Sequence, residues 1–171
     1  MMSPSLLAAL SEFDGRDTRP LESVRTSHEP TSELVATLLV HMGSDEERIQ
    51  IAATWLLKAF VRDGLELDGD AVARLSKTLS ELPDGHAALH ICQVTGRPEI
   101  PEPAADAYGA FVRRGLESSA TFVRAWATDA LHHIALQHPR YADEASKAVA
   151  RALADPAPSI RARARKIVEQ A

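Results

Sequence analysis

Residues 142–170 have the sequence ADEASKAVARALADPAPSIRARARKIVEQ, in which two apolar stripes of helical period flank a turn that contains two prolines. Val149 and Leu153 are four residues apart before the turn. Ile160, Ala164 and Val168 continue at the same spacing after it. This spacing places each set on one face of a helix, and the Asp and Pro residues between the sets stop one helix and begin the next. The stretch therefore predicts a helical hairpin.

The same pattern recurs three more times toward the N-terminus, with a period of 37 residues. The aligned sets are Leu38, Leu75, Val112 and Val149; Met42, Leu79, Leu116 and Leu153; Ile49, His86, Val123 and Ile160; Ala53, His90, Ala127 and Ala164; and Leu57, Val94, Leu131 and Val168. We call the four copies repeat units one to four. A single hairpin leaves its apolar stripe uncovered, so the units must stack to build a continuous core.

The repeat therefore predicts an all-α fold, a short right-handed α-solenoid of four helical hairpins. The predicted helix pairs are 31–42 and 46–62, 70–82 and 85–95, 104–117 and 121–137, and 142–154 and 158–170. Segments rich in Gly or Pro, at 62–69 and 97–103, and the proline at 139 separate the units, as expected for helix breakers.

Residues 1–30 do not align with the repeat, although they contain short apolar stripes of their own. Leu6, Leu7, Leu10 and Phe13 follow helical spacing, and residues 20–27 are a candidate for another helix. The end of a solenoid leaves its core face in water unless another segment covers it. We therefore expect residues 1–30 to dock as a cap on residues 31–171 within a single domain, with disorder as the alternative.

The fourth unit also resembles a known repeat family. Its motif residues are Asp155-Pro156, Ile160-Arg161, Ala164, Ile167 and Val168, and the third unit matches them with Val123-Arg124, Ala127 and Leu131. This pattern is similar to the HEAT repeat, and the resemblance covers residues 31–171. It implies an armadillo-type α-solenoid in a family composed mostly of binding scaffolds, with a few enzymes. It also implies that Arg124 and Arg161 pair with turn carboxylates such as Asp155.

The composition excludes several classes of protein. The 171 residues have a net charge of −5 and contain one cysteine, Cys92, so no internal disulfide can form. The sequence has no apolar run of membrane-spanning length and no basic leader, and we expect a cytoplasmic protein. Residues 1–102 carry 9 basic and 17 acidic side chains, and residues 103–171 carry 10 and 7. This distribution disfavours a uniformly basic duplex-binding protein.

The second helix of the fourth unit concentrates basic side chains. Arg161 and Arg165 are four residues apart and share a helix face, and the 37-residue register places Arg124 and Thr128 in line with them. Because second helices line the concave face of solenoids, we predict a basic strip there for an anionic partner. The alternative is a solvated polar cap that ends the stack. Trp55 is another candidate, either covered by the N-terminal segment or exposed as a binding anchor.

Signals for catalysis are sparse. His86 and His90 have the spacing of a helical metal pair, but the register places both in the core and no third ligand is near them in the sequence. Trp126 and Asp129 lie near Arg124, and HEAT-like alkylpurine DNA glycosylases need aromatic and acidic residues beside a cationic groove. No phosphate-binding glycine loop or nucleophile motif is present. We predict no catalytic, cofactor-binding or metal-binding residues.

These observations predict a non-enzymatic protein-interaction scaffold that binds a protein or an acidic segment on its concave second-helix face. The predicted contact residues are Arg124, Thr128, Arg161, Arg165 and Trp55. The alternative is a nucleic-acid-binding enzyme similar to the HEAT-like alkylpurine DNA glycosylases. Residues 103–171 have a net charge of +3, the difference between 10 basic and 7 acidic side chains, so we expect a partner of this half to present carboxylates or phosphates.

Overall fold

A computed structural model describes residues 4–170. Within that range the chain forms ten α-helices and no β-strand, which confirms the predicted all-α class. The helices are α1 (Pro4–Glu12), α2 (Arg19–Ser27), α3 (Ser32–Met42), α4 (Glu47–Arg62), α5 (Gly69–Thr78), α6 (His86–Val94), α7 (Glu102–Leu116), α8 (Thr121–Gln137), α9 (Ala142–Leu153) and α10 (Pro158–Gln170). All eight helices predicted for the repeat units form, although α5 ends four residues earlier than expected.

Local sequence signals explain where several helices begin. The side chain of Thr31 accepts a hydrogen bond from the backbone N–H of Leu34 at the start of α3, and Asp68 does the same for Ala71 at the start of α5. Both bonds satisfy a backbone donor that the first turn of a helix leaves unpaired. Gly85, which precedes α6, has a φ of +118°, a conformation that glycine adopts without steric cost.

Most contacts between helices lie within one repeat unit or between one unit and the next. The second helices of the repeat units, α4, α6, α8 and α10, pack successively side by side, and we call them the second-helix row. The first helices α3, α5 and α7 also pack successively. Within the units, α3 packs on α4, α7 on α8, and α9 on α10. Contacts between neighbouring helices therefore build the core.

Burial follows the 37-residue register closely in the first three units. Leu38, Leu75 and Val112 are buried, as are Leu57, Val94 and Leu131. Two predicted core positions depart from the pattern: Leu116 is half-buried, and His86, predicted to lie in the core, is exposed. His86 is the first residue of α6, where the helix has only begun and the ring extends beyond the packed interface.

The N-terminal segment packs against the rest of the chain. Helices α1 and α2 contact each other, and both contact α4. The buried apolar side chains of this segment are Leu6, Ala9, Leu10, Phe13, Leu21 and Val24. Arg48 of α4 donates a hydrogen bond to the backbone oxygen of Ser11, and Arg25 of α2 forms an ion pair with Asp63 at 2.6 Å. Residues 4–27 thus cover one side of α4.

Candidate functional site

Two arginines of the predicted basic strip bind backbone oxygens of their own units. Arg124 Nη1 lies 2.7 Å from the carbonyl oxygen of Ser118, and Arg161 Nη1 lies 2.7 Å from that of Asp155. The prediction that Arg161 pairs with the Asp155 carboxylate is wrong, because this carboxylate instead accepts a hydrogen bond from the backbone N–H of Ala157. Each guanidinium therefore satisfies carbonyl groups at the turn between two helices.

In units one and two, other side chains bind backbone carbonyls at the end of the first helix, two register positions before those that Arg124 and Arg161 bind. Gln50, which has the register position of Arg124, donates to the backbone oxygen of Met42 at 3.2 Å. Ala87 takes this position in unit two, and there Arg114 from the next unit donates to the backbone oxygen of Leu79 at 2.8 Å. Each of the four units thus has a side-chain donor to a carbonyl at or just after the end of its first helix, which indicates a structural role for Arg124 and Arg161.

Thr128 lies in the contact between the third and fourth units and does not face solvent. Its side chain is buried and donates to the backbone oxygen of Arg124 at 3.0 Å. Leu116, Arg124 and Thr128 form one wall of a cleft of about 140 Å³, with side chains of α9 and α10 opposite. The prediction that Thr128 belongs to an accessible basic strip is therefore wrong, because α10 packs over this side of α8.

Arg165 has the register position of Thr128 but is exposed, because no further helix of the described chain follows α10. No carboxylate of residues 4–170 forms an ion pair with Arg165 or with Arg161. The structure therefore divides the four residues of the predicted strip between two places. Arg124 and Thr128 lie at the contact between two units, whereas Arg161 and Arg165 lie on the fourth unit alone.

A different set of side chains lies accessible along the second-helix row. Leu89, Trp126 and Arg163 are 37 residues apart on α6, α8 and α10, and Trp55 lies one helical turn further along α4. Leu89 and the two tryptophans are only partly buried, and Phe122 on α8 is 40% exposed. We call Trp55, Leu89, Phe122, Trp126 and Arg163 the second-helix face. Large apolar side chains grouped in this way are typical of interaction surfaces.

A charged cluster surrounds Trp126. The guanidinium carbon of Arg163 lies 3.5 Å from the centre of the Trp126 ring, a cation–π contact, and Arg163 Nη1 lies 3.7 Å from Asp129 Oδ1. His133 Nδ1 lies 3.4 Å from Asp129 Oδ2. The His133 ring packs against Gly96, where an added Cβ would stand 2.5 Å from the ring. The 37-residue spacing of Trp126 and Arg163 was the sequence signal for this contact.

Trp55 borders a cleft of about 300 Å³ that also involves Glu22 and Arg25 of α2. Lys58 Nζ lies 5.6 Å from the centre of the Trp55 ring. Burial, assisted by the charge of Arg62, lowers the pKa of Lys58. Residues of α2 line the Trp55 cleft and partly cover the ring, which remains partly accessible.

His86 and His90 have different environments despite their helical spacing. His90 is buried, and its Nδ1 lies 3.0 Å from Oγ1 of Thr54. Burial is the main cause that lowers the pKa of His90 to about 3. His86 is exposed and lies beside Phe122, with ring centres 5.4 Å apart. The pair therefore consists of one neutral core residue and one surface residue.

The part of the chain that the structure describes has neither a metal-binding cluster nor a membrane-spanning helix. No group of three or more His, Cys, Asp or Glu side chains there has an arrangement that could hold a metal ion. None of its helices is long and apolar enough to cross a membrane. Burial raises the pKa of the Cys92 thiol to about 12, and a protonated thiol is a poor nucleophile.

Comparison of the chain with protein-family models, with curated proteins and with solved structures finds no significant match.

Proposed function

We propose that the protein is a HEAT-like α-solenoid and acts as a non-enzymatic interaction module, with the second-helix face as its binding surface. The 37-residue repeat and the successive packing of α4, α6, α8 and α10 support the solenoid. In solenoids the second helices line an extended surface on which a partner segment can lie across several units.

The exposed aromatic and aliphatic side chains carry the proposal. Phe122 is 40% exposed, and Leu89 and Trp55 are only partly buried, so each leaves part of a large apolar side chain accessible. Tryptophan and other aromatic side chains contribute strongly to binding, since a partner that covers them removes a large apolar area from water. Their location on neighbouring helices of one row suits a partner that lies across the row.

Charge on this face favours an acidic partner. Lys58 and Arg62 lie near Trp55, and Lys166 lies near Arg163 on α10. Among residues 4–170 no carboxylate forms an ion pair with Lys58, Arg62 or Lys166. A partner with Asp or Glu beside its apolar residues would pair with these cations, which improves specificity and the association rate.

A nucleic-acid enzyme of the alkylpurine glycosylase kind is the second candidate, because Trp126 and Asp129 lie together on α8. Such an enzyme needs an accessible aromatic face and an available carboxylate. Arg163 lies over the Trp126 ring and close to Asp129, so one guanidinium covers both groups. This arrangement favours the interaction module.

Selection of a phage-displayed library of random peptides on the full chain tests the proposal. We expect the selected peptides to be acidic and to contain apolar residues, and their affinities can be measured by fluorescence anisotropy. Phe122→Ser should lower the affinity of the selected peptides by about tenfold or more, as expected for loss of an aromatic anchor. Leu7→Ser is the matched control, because Leu7 is a similarly exposed apolar residue on α1.

Two results would contradict the interaction module. One is selected peptides that bind wild type and Phe122→Ser equally well. The other is tight binding of duplex DNA that weakens steeply between low and high salt, which is the behaviour of a phosphate-binding site.

A further inference from the structure

The fourth unit exposes side chains whose counterparts in the other units are buried. Val168 is 55% exposed, whereas Leu57, Val94 and Leu131 at the same register position are buried. Leu153 is 41% exposed, whereas Met42 and Leu79 are buried. We call Leu136, Val149, Leu153, Arg161, Arg165 and Val168 the terminal face.

The third unit shows what covers a face of this kind. Leu116, Arg124 and Thr128 are the register counterparts of Leu153, Arg161 and Arg165, and they lie opposite Ala148 and Ala152 of α9 and Ile160 of α10. Ala125, Ala152, Ile160 and Ala164 form a small apolar cluster at the same contact. Helices with small and aliphatic side chains therefore fit this type of surface.

The terminal face contains a groove of about 350 Å³ between α8, α9 and α10. Most of the groove wall is apolar, and Leu136, Val149 and Val168 contribute to it. Leu136 is 69% exposed. Aliphatic side chains grouped with this degree of exposure are typical of an interaction surface.

Arg161 and Arg165 share a face of α10 with Val168, because the three residues are separated by four and three positions. Arg165 is exposed, and Arg161 uses Nη1 for the backbone oxygens of Asp155 and Pro156. Within residues 4–170, no carboxylate lies within ion-pair distance of Arg161 or Arg165, which leaves both charges available to an acidic group from outside the chain.

We propose that the terminal face binds an amphipathic helix of a partner protein whose apolar stripe is flanked by carboxylates. The apolar stripe of the partner helix fills the groove at Leu136, Val149 and Val168. It covers the fourth unit in the way that the fourth unit covers the third. The carboxylates pair with Arg161 and Arg165. This surface is separate from the second-helix face, so the proposal does not depend on the binding mode proposed above.

A second copy of this chain is the less suitable occupant. In a twofold dimer the terminal face would meet the same face of the other copy. Arg161 and Arg165 would then approach arginines, and like charges at an interface disfavour association.

Two synthetic peptides test the proposal. Each has about 18 residues with leucines at helical spacing, and the flanking positions are all Glu in one peptide and all Lys in the other. Fluorescence anisotropy with the full chain should show the Glu peptide binding at least about tenfold more tightly than the Lys peptide. Arg165→Glu should remove most of this preference, because Arg161 and the new glutamate then leave no net positive charge on the face. An amide chemical-shift map on wild type should locate the Glu peptide at α9 and α10.

Val168→Ser should weaken binding of the Glu peptide, whereas Phe122→Ser, on the second-helix face, should leave this binding unchanged. Both side chains are exposed, so the variants should fold, and thermal melts by circular dichroism verify this. Equal binding of the two peptides, shifts confined to the second-helix face, or no binding by the Glu peptide would overturn the proposal. Dimerisation in sedimentation velocity that Val168→Ser abolishes would instead identify a second copy as the occupant.

Discussion

Acid should destabilise the folded protein because of one buried histidine. His90 is 5% exposed, and its Nδ1 lies 3.0 Å from Oγ1 of Thr54. Burial, together with the nearby charges of Lys58 and His86, lowers the pKa of His90 from 6.5 to about 3. The folded chain therefore keeps this ring neutral at pH values where the unfolded chain protonates it.

The sign and size of the effect follow from proton linkage. Below pH 6.5 the unfolded state binds a proton that the folded state does not, so the free energy of unfolding decreases as the pH falls toward 3. Each unit of pKa difference corresponds to about 1.4 kcal/mol. His90 alone should make the free energy of unfolding about 2 kcal/mol lower at about pH 5 than at about pH 8.

Urea unfolding followed by far-UV circular dichroism measures this loss. His90→Gln is the matched control, because glutamine can still form a hydrogen bond with Thr54 but does not titrate. The other histidines are present in both proteins and cancel in the comparison. The stability of wild type minus that of His90→Gln should fall by about 2 kcal/mol between about pH 8 and about pH 5. Parallel pH profiles for the two proteins would refute the reasoning.

Two further predictions concern packing. Leu131→Ala should lower the free energy of unfolding by about 2–5 kcal/mol in urea titrations, because Leu131 is fully buried. Leu153→Ala, at an exposed leucine, should cost less than about 1 kcal/mol, and equal losses would contradict the burial difference. Gly96→Ala should cost about 1–3 kcal/mol, because the added Cβ overlaps the His133 ring. A His133→Ala background should remove most of that cost, and a double-mutant cycle that shows no coupling would be evidence against the contact.

Much of the fold could be predicted from periodicity. The eight repeat helices form close to their predicted positions because apolar spacing, proline and capping residues act within a few residues along the chain. Leu116 and His86 are the exceptions among the aligned positions of the first three units, since both lie next to a turn where packing is incomplete.

The predicted strip shows the limit of the same reasoning. The register correctly groups Arg124 with Thr128 and Arg161 with Arg165, but it does not tell which neighbouring helix lies over each pair. The structure buries Thr128 under the fourth unit, while Arg165, at the equivalent position, faces solvent. Identical register positions thus have different environments in the third unit and in the fourth, the last unit that the structure describes.

Local sequence patterns predict the all-α class, the period of 37 residues and the helix boundaries apart from the end of α5, because helix propensity, capping and amphipathic spacing are properties of nearby residues. Tertiary structure decided which side chains remain accessible and which groups they contact. Arg161 binds backbone oxygens while the Asp155 carboxylate binds a different backbone N–H, and Arg163 lies over Trp126. These contacts depend on the distances and directions between separate helices, which periodicity along one chain does not specify.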